Sequence, residues 1–308
     1  MFVDIILLIF GFVLLTRGAD YFVDGASALA QRLRVPPIII GLTVVAMGTS
    51  APEASISILS AIRNADSIAV GNVIGSNIAN ILLIFGITSL ISTLVVQKQT
   101  LLYEIPFVGF ITVLLCFMGG QSGMITRGDA LVLIGLFVAF LFYLYIMAKK
   151  NKSTDTEIAP IGGAKIALYI IGGLVALVWG SNLTVDSAID IARRIGVTER
   201  VIGLTIIAFG TSVPELVTCV VAAIKKQSDI VVGNIIGSNI FNVLFVLGLA
   251  GVISPIPFKP EFVIDGAIAV LAVAMLMVFA FKSKKIGRGT GVVFLVTYAA
   301  YLFWLISA

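Results

Sequence analysis

Two glutamates, Glu53 and Glu215, stand in near-identical surroundings, Gly48-Thr49-Ser50-Ala51-Pro52-Glu53 and Gly210-Thr211-Ser212-Val213-Pro214-Glu215, each well inside a long apolar stretch. Paired carboxylates in apolar surroundings can bind a metal cation, hold protons or activate water as an acid dyad. A charge at such depth is costly unless it is paired or hydrated. Pro52 and Pro214 carry no N–H, so the carbonyls four residues back, on Gly48 and Gly210, lose their helical partners and become free to face a cation. A local alternative is that Ser50 with Glu53, and Ser212 with Glu215, form S-x-x-E capping boxes that restart each broken helix. Capping alone would be served by Gln without a charge at depth, and the feature occurs at two matched places, which favours cation binding.

Downstream of each glutamate lies a second matched pattern, Gly71-Asn72-Val73-Ile74-Gly75-Ser76-Asn77-Ile78-Ala79-Asn80 and Gly233-Asn234-Ile235-Ile236-Gly237-Ser238-Asn239-Ile240-Phe241-Asn242. Helical spacing places Asn72, Ser76 and Asn80 on one face, and Asn234, Ser238 and Asn242 on one face of the other. The glycines read as G-x-x-x-G packing faces. Ser76, Asn80, Ser238 and Asn242 read as ligands or as supports of ligands, whereas Asn72, Asn77, Asn234 and Asn239 divide evenly between ligation and interhelical hydrogen bonding. The pooled donors are carboxylates, hydroxyls, amide oxygens and backbone carbonyls, and the chain has no His. Such hard oxygens suit Ca²⁺, which takes about six to eight of them in flexible geometry. They serve Na⁺ equally, whereas zinc and copper prefer nitrogen and sulfur and Mg²⁺ keeps several of its waters.

The elements that position these residues follow from composition. With 308 residues, 59% hydrophobic, 12% charged and a mean hydropathy of +1.14, the chain is far too apolar for a soluble domain. Its net charge of +4 and pI near 9.1 do not signal nucleic acid, because Lys and Arg fall in short connections between apolar stretches. Cys116 and Cys219 lie within apolar stretches and read as small buried hydrophobes without a disulfide framework. The first segment, Met1 to about Thr16, lacks a basic leader and a small-residue cleavage site, so a retained first helix is expected.

Ten apolar runs are long enough to cross a bilayer, beginning near residues 2, 36, 67, 100, 127, 164, 199, 229, 260 and 287. The stretch Lys149 to Pro160 (KKNKSTDTEIAP) is the most polar and marks a linker. The expected domains are residues 1–148, a cytoplasmic linker over 149–163, and residues 164–308. Sliding one half over the other aligns Val35 to Ser92 with Val197 to Ser254 without a gap, with about 26 identities. Five crossings per half force the second to enter the membrane from the opposite side. The expected fold is an all-α integral membrane protein of ten transmembrane helices in two inverted five-helix repeats. Alternate connections, starting with the first, hold about thirteen Lys and Arg against about six on the other face, which puts both termini outside the cytoplasm of a multi-pass cell-membrane protein.

GTSAPE with GNVIGSNIAN, repeated as GTSVPE with GNIIGSNIFN, resembles the α1 and α2 repeats of the sodium/calcium exchanger family, particularly its short prokaryotic members, and the resemblance spans the chain. It implies that Glu53 and Glu215 bind Ca²⁺ and Na⁺ competitively. It also implies oxygens of Thr49, Ser50, Thr211 and Ser212, the carbonyls of Ala46 and Ala208, and side chains of Ser76, Asn80 and Ser238 as ligands. Some prokaryotic members carry Asp where this chain has Asn242, so the site here holds a symmetric Asn80/Asn242 pair and two acidic groups. One Ca²⁺, two Na⁺ or two protons neutralise two carboxylates, whereas a third Na⁺ leaves a positive charge at low dielectric. The expected function is secondary active exchange of Ca²⁺ for Na⁺, with proton-coupled antiport of Ca²⁺ or another divalent cation as the alternative.

Alternating access is expected, with the long first and sixth segments sliding over a four-helix core and Gly18, Gly25 and Gly180 as flex points. Asp24 and Asp186, near Tyr21 and Arg32, read as an interfacial ion pair or cap, or as shaping a vestibule; Glu104, Glu261 and Asp265 also read as interfacial. A cation channel would use the same oxygens but predicts uncoupled flux, and an intramembrane carboxylate-dyad hydrolase would need a lateral route for its substrate. Neither an enzyme, a cofactor, a nucleic-acid partner nor an obligatory protein partner is expected; the partners are inorganic cations and the lipid bilayer.

Overall fold

The computed structural model describes residues 2–63, 68–150, 161–196 and 210–307. Helices dominate because uninterrupted apolar stretches satisfy their own backbone polar groups only by coiling. In chain order they are α1 (Phe2–Leu33), α2 (Pro37–Thr49), α3 (Ala51–Ile62), α4 (Ile68–Ile91), α5 (Thr100–Ser122), α6 (Arg127–Lys150), α7 (Gly163–Arg194), α8 (Val213–Ile224), α9 (Ser228–Ile253), α10 (Pro260–Ser283) and α11 (Arg288–Ser307). Among the described residues eight of these are long and apolar enough to cross a membrane, and α2 with α3 make a ninth if the bent pair is one span. The 51° bend between α2 and α3 falls just before Pro52, where the missing N–H interrupts the helical ladder. Of the tenth expected segment, near residue 199, the structure describes α8; residues 197–209 lie outside the described ones, as does 151–160 of the linker.

Helix α9 is the centre of the molecule, with 94% of its apolar window buried, and α4 follows at 72%, against 39% or less for the other spanning helices. The peripheral helices turn large side chains such as Trp179, Phe142 and Phe303 outward, as a lipid-facing surface requires. Two short antiparallel strand pairs tie the ends together: β1 (Leu94–Val95) with β4 (Lys285–Ile286), and β2 (Met124–Ile125) with β3 (Ile256–Pro257). Each pair joins one half of the chain to the other.

Helices α1 and α7 are both 32 residues long, about 48 Å at helical rise and well beyond the hydrocarbon thickness. They cross antiparallel on a seam of glycines. A Cβ on Gly18 would lie 2.8 Å from Leu177 N, one on Gly180 2.8 Å from Leu15 N, and one on Gly25 2.9 Å from Ile170 Cγ1. Gly18, Gly25 and Gly180 are therefore close-packing contacts in unbroken helices rather than flex points.

Glu104, near the start of α5, is enclosed by its neighbours. It is buried, accepts a hydrogen bond from the Tyr143 hydroxyl, and borders an apolar cavity of about 260 Å³ between α5 and α6. The packing of α6 across α5 encloses it. Asp265 accepts from Tyr301 Oη at 3.1 Å in the second half. Cys116 and Cys219 are free thiols.

Candidate cation site

Both glutamates sit in the first turn of a helix that restarts after a break, Glu53 in α3 and Glu215 in α8, each with Pro at the first or second position. That start is preorganised by proline's fixed φ. Both carboxylates are 1% exposed. Ser50 and Ser212 occupy the cap positions without a side-chain capping bond, so the S-x-x-E boxes do not form. The hydroxyls cross between halves instead: Ser50 Oγ donates to Glu215 Oε1 at 2.8 Å, and Ser212 Oγ to Glu53 Oε1 at 3.3 Å. Ser212 Oγ also lies 3.4 Å from Ser76 Oγ, which brings α4 into the same cluster.

The flanking elements supply further oxygens. Thr49 Oγ1 lies 3.1 Å from both Val45 O and Asn234 Oδ1 and can give its one proton to either, and the Ala46 carbonyl receives Ser50 N at 3.0 Å and Ser238 Oγ at 3.5 Å. Asn80 and Asn242 each enter a π-helical turn, Ala79–Ile84 in α4 and Asn242–Val246 in α9, and a third such turn, Gly41–Val45, precedes Ala46 in α2. An extra residue per turn shifts the helical phase and re-aims the side chains that follow. Sequence reasoning missed these turns, which carry no composition signal of their own.

The remaining expected residues sort plainly. Asn72 Nδ2 donates to Ser57 Oγ at 3.1 Å and Glu53 O at 3.3 Å, so it braces α3 on α4. Asn77 Nδ2 donates to Asn239 O at 3.2 Å, and Asn242 Nδ2 to Asn77 Oδ1 at 3.2 Å, which fasten α4 to α9. The Gly210 carbonyl, expected to be free, accepts from Ser181 Oγ on α7 at 3.2 Å. Gly233 and Gly237 pack as expected, since a Cβ on either would meet the backbone of α2 at 2.7–2.8 Å, at Ile38 O and Leu42, whereas Gly71 and Gly75 do not: a Cβ on Gly71 would meet only Phe262 at 3.5 Å, and one on Gly75 no described atom within 4 Å. Ala208 lies outside the described residues.

Several oxygens of the cluster remain without a hydrogen-bond partner. Glu53 Oε2, Glu215 Oε2, Asn80 Oδ1, Asn242 Oδ1 and Thr211 Oγ1 are buried without a hydrogen-bond partner. Buried acceptors of this kind are rare in folded proteins and call for an account. A hard cation satisfies several such oxygens at once, and the set offers neither imidazole nor thiolate at its centre.

The two serine bonds make a graded prediction. Ser50→Ala should weaken calcium binding by about tenfold, as expected for loss of a hydrogen bond to a charged group. Ser212→Ala, whose bond is longer, should weaken it less. Calorimetric titration of purified protein measures both, and equal affinities in all three proteins would remove the serines from the site.

Residues 3–146 and 165–307 match the family described as sodium/calcium exchanger protein. The sodium/calcium exchanger MaX1 of Methanosarcina acetivorans is 31% identical, over 97% of this chain and 97% of its own length. The inner membrane protein YrbG of Escherichia coli is 35% identical, over 97% of this chain and 96% of its own. The solved structure of the sodium-calcium exchanger NCX_Mj superposes with a TM-score of 0.86 at 31% identity, covering 98% of each chain. A family match through both halves, relatives aligned almost end to end and a solved exchanger of the same fold establish that this multi-pass membrane chain belongs to the sodium/calcium exchanger protein family.

Proposed function

We propose that this cation antiporter exchanges Ca²⁺ for Na⁺ by alternating access, with both ions held between Glu53 and Glu215 near the membrane midplane. The observation that carries the reading is the reciprocal bonding of Ser50 to Glu215 and Ser212 to Glu53 around buried, unpartnered oxygens. The ligands are Glu53, Glu215, Ser50, Ser212, Thr49, Thr211, Ser76, Ser238, Asn80, Asn242 and the carbonyls of Ala46 and Ala208. Ten helices in two inverted repeats, residues 1–148 and 164–308, frame the site, with the linker cytoplasmic and both termini outside. The antiparallel crossing of α1 and α7 and the strand pairs shared between halves support that symmetry.

Helices α1 and α7 move together over the core of α2, α3, α4, α8 and α9. At the face of the α8–α9 connection, Lys225 Nζ binds Asp24 Oδ1 at 2.7 Å and Asp20 Oδ1 at 3.3 Å, tying α1 to α8. Asp24 is thus the ion pair expected, with Lys225 as its partner. The matching residues of the other half, Arg63 and Asp186, form no ion pair among the described residues. Among the described residues the Lys225 tie thus has no counterpart in the other half. Occlusion requires that a cation neutralise both carboxylates first, because burying bare charges is expensive.

Calcium uptake by purified protein in liposomes, with a sodium gradient or a proton gradient imposed alone, tests the reading. Uptake should follow the sodium gradient; uptake driven by protons alone would replace Na⁺ with H⁺, and uptake without either gradient would indicate a channel. The proton-coupled reading draws on one specific observation, the neutral Asn80/Asn242 pair that leaves two carboxylates in the cluster. The same count makes exchange of one Ca²⁺ for two Na⁺ electroneutral. An imposed potassium diffusion potential should leave wild-type uptake unchanged. Asn242→Asp adds a third charge and room for a third Na⁺, and uptake should then respond at about 2.3 kcal/mol per 100 mV. Potential-dependent uptake by the wild type would overturn the two-charge count.

A further inference from the structure

The two half-sites are equivalent in sequence but not in bonding. In the second half Asn234, fully buried, holds Thr49 of the first: Thr49 Oγ1 donates to Asn234 Oδ1 at 3.1 Å, while Asn234 Nδ2 donates to Cys219 Sγ at 3.1 Å. The pair stays bonded if the amide is turned over, since the thiol then donates to the carbonyl and the amide to Thr49. The offset that relates the halves maps Asn234 onto Asn72, Thr49 onto Thr211 and Cys219 onto Ser57. Asn72 keeps the bond to Ser57, at 3.1 Å, but not the one to the threonine. Thr211 Oγ1 is buried beside the Glu53 carboxyl with no bond to Asn72, and Asn72 is only half-buried.

This asymmetry follows the membrane faces. Asn234 lies a turn into α9 beside the α8–α9 connection, where Lys225 ties α8 to α1. Asn72 lies a turn into α4 beside the α3–α4 connection, which inverted repeats put at the opposite face. Around Asn234 the residues Gly233, Gly237 and Pro214 are buried, whereas their counterparts Gly71, Gly75 and Pro52 are half-exposed.

We propose that Asn234 and Asn72 are the latches of the two half-sites: Asn234 holds Thr49 while its face is sealed, and Asn72 takes the matching bond to Thr211 when the opposite face seals. Each is a positioning residue, setting a ligand hydroxyl against the glutamate without touching the ion. Asn234 fixes the Thr49 hydroxyl beside Glu215, whereas Thr211 stands beside Glu53 with no amide to fix it. The inference rests on alternating access as read above and deepens it by naming what distinguishes the two end states at the site. Ser57 and Cys219 act behind the latches, each fixing its amide from the side away from the cations.

The test is the Michaelis constant for calcium at each face, measured in oriented vesicles with radiolabelled calcium for wild type, Asn234→Ala, Asn72→Ala and the double variant. Losing the Asn234 latch destabilises the state sealed at the α8–α9 face and open at the other. The ratio of the two constants should shift by about three- to tenfold toward tighter apparent binding at the α8–α9 face. Asn72→Ala should shift it by a similar factor in the opposite sense, and the double variant should return it toward wild type. Changes equal at both faces, or in the same sense in both variants, overturn the proposal and assign the amides a purely structural role. Asn72→Ala, at the half-buried position, carries the test by itself if Asn234→Ala does not fold: an unshifted ratio there is decisive. Failure of the antiport reading is distinguishable, because it would appear as gradient-independent uptake in the wild type.

Discussion

Calcium uptake by Glu53→Gln and by Glu215→Gln is expected to fall by at least about two orders of magnitude, with each protein still folded. Two unit charges about 4 Å apart at an effective dielectric of about 20 attract by roughly 4 kcal/mol, and a divalent ion doubles that figure. Losing one of two carboxylates therefore removes far more binding energy than neutral oxygens restore. Folding should survive for a local reason. Glutamine keeps a carbonyl oxygen that accepts from Ser212 or Ser50, which now donate to the carboxylates at 3.3 and 2.8 Å. It also relieves the repulsion of two buried anions, so thermal midpoints in cation-free buffer should equal or exceed that of the wild type. Calcium should raise the midpoint of the wild type and not of the variants, as ligand linkage requires. Wild-type flux in either variant would sink the assignment of the glutamates.

The glutamates were legible in the chain because a repeat marks what both halves need. GTSAPE and GTSVPE state the break, the proline and the acid twice, and the structure places both acids in one buried cluster. The bonds within that cluster were not legible. S-x-x-E reads as a local capping box, yet each serine bonds the glutamate of the other half, across 165 residues for Ser50 and 159 for Ser212. A local motif says nothing of a partner brought by tertiary packing. The same holds for the π-helical turns at Ala79–Ile84 and Asn242–Val246, whose cause is the packing of α4 on α9 rather than any residue preference. Glu104 reads as an interfacial acid, and its hydrogen-bond partner Tyr143, on another helix, is not legible from its own surroundings in the chain.

The glycine seam was visible but carries a different meaning from the expected one. Gly11, Gly18 and Gly25 recur every seven residues, as do Gly173 and Gly180, and that spacing puts each set on one helix face. A hinge has no need of such spacing, whereas a close crossing does. With α1 and α7 unbroken and locked along this face, the two helices form one body, and any sliding occurs between that body and the core.

This reading makes Gly173→Val damaging and Gly172→Val harmless, although the two positions are adjacent. A Cβ on Gly173 would lie 2.7 Å from Phe22 N and 2.8 Å from Gly18 O, both backbone atoms that cannot swing aside. The helices must separate to admit it, and overpacking of this kind costs about 1–3 kcal/mol or more. Gly172 is exposed on the outer side of α7, where a Cβ meets no described heavy atom within 4 Å; there valine adds one more methyl-rich side chain to a lipid-facing surface. Transport by Gly173→Val should fall by at least about tenfold, with a lowered thermal midpoint. Gly172→Val should remain within about twofold of wild type, since surface substitutions away from packed features change little. A hinge would behave differently: stiffening by a β-branched residue would slow transport at both glycines without lowering the midpoint of either. Uptake and melting measured on the same preparations therefore separate a packed seam from a flexible joint. Unimpaired transport by Gly173→Val would show that α1 and α7 are free to part.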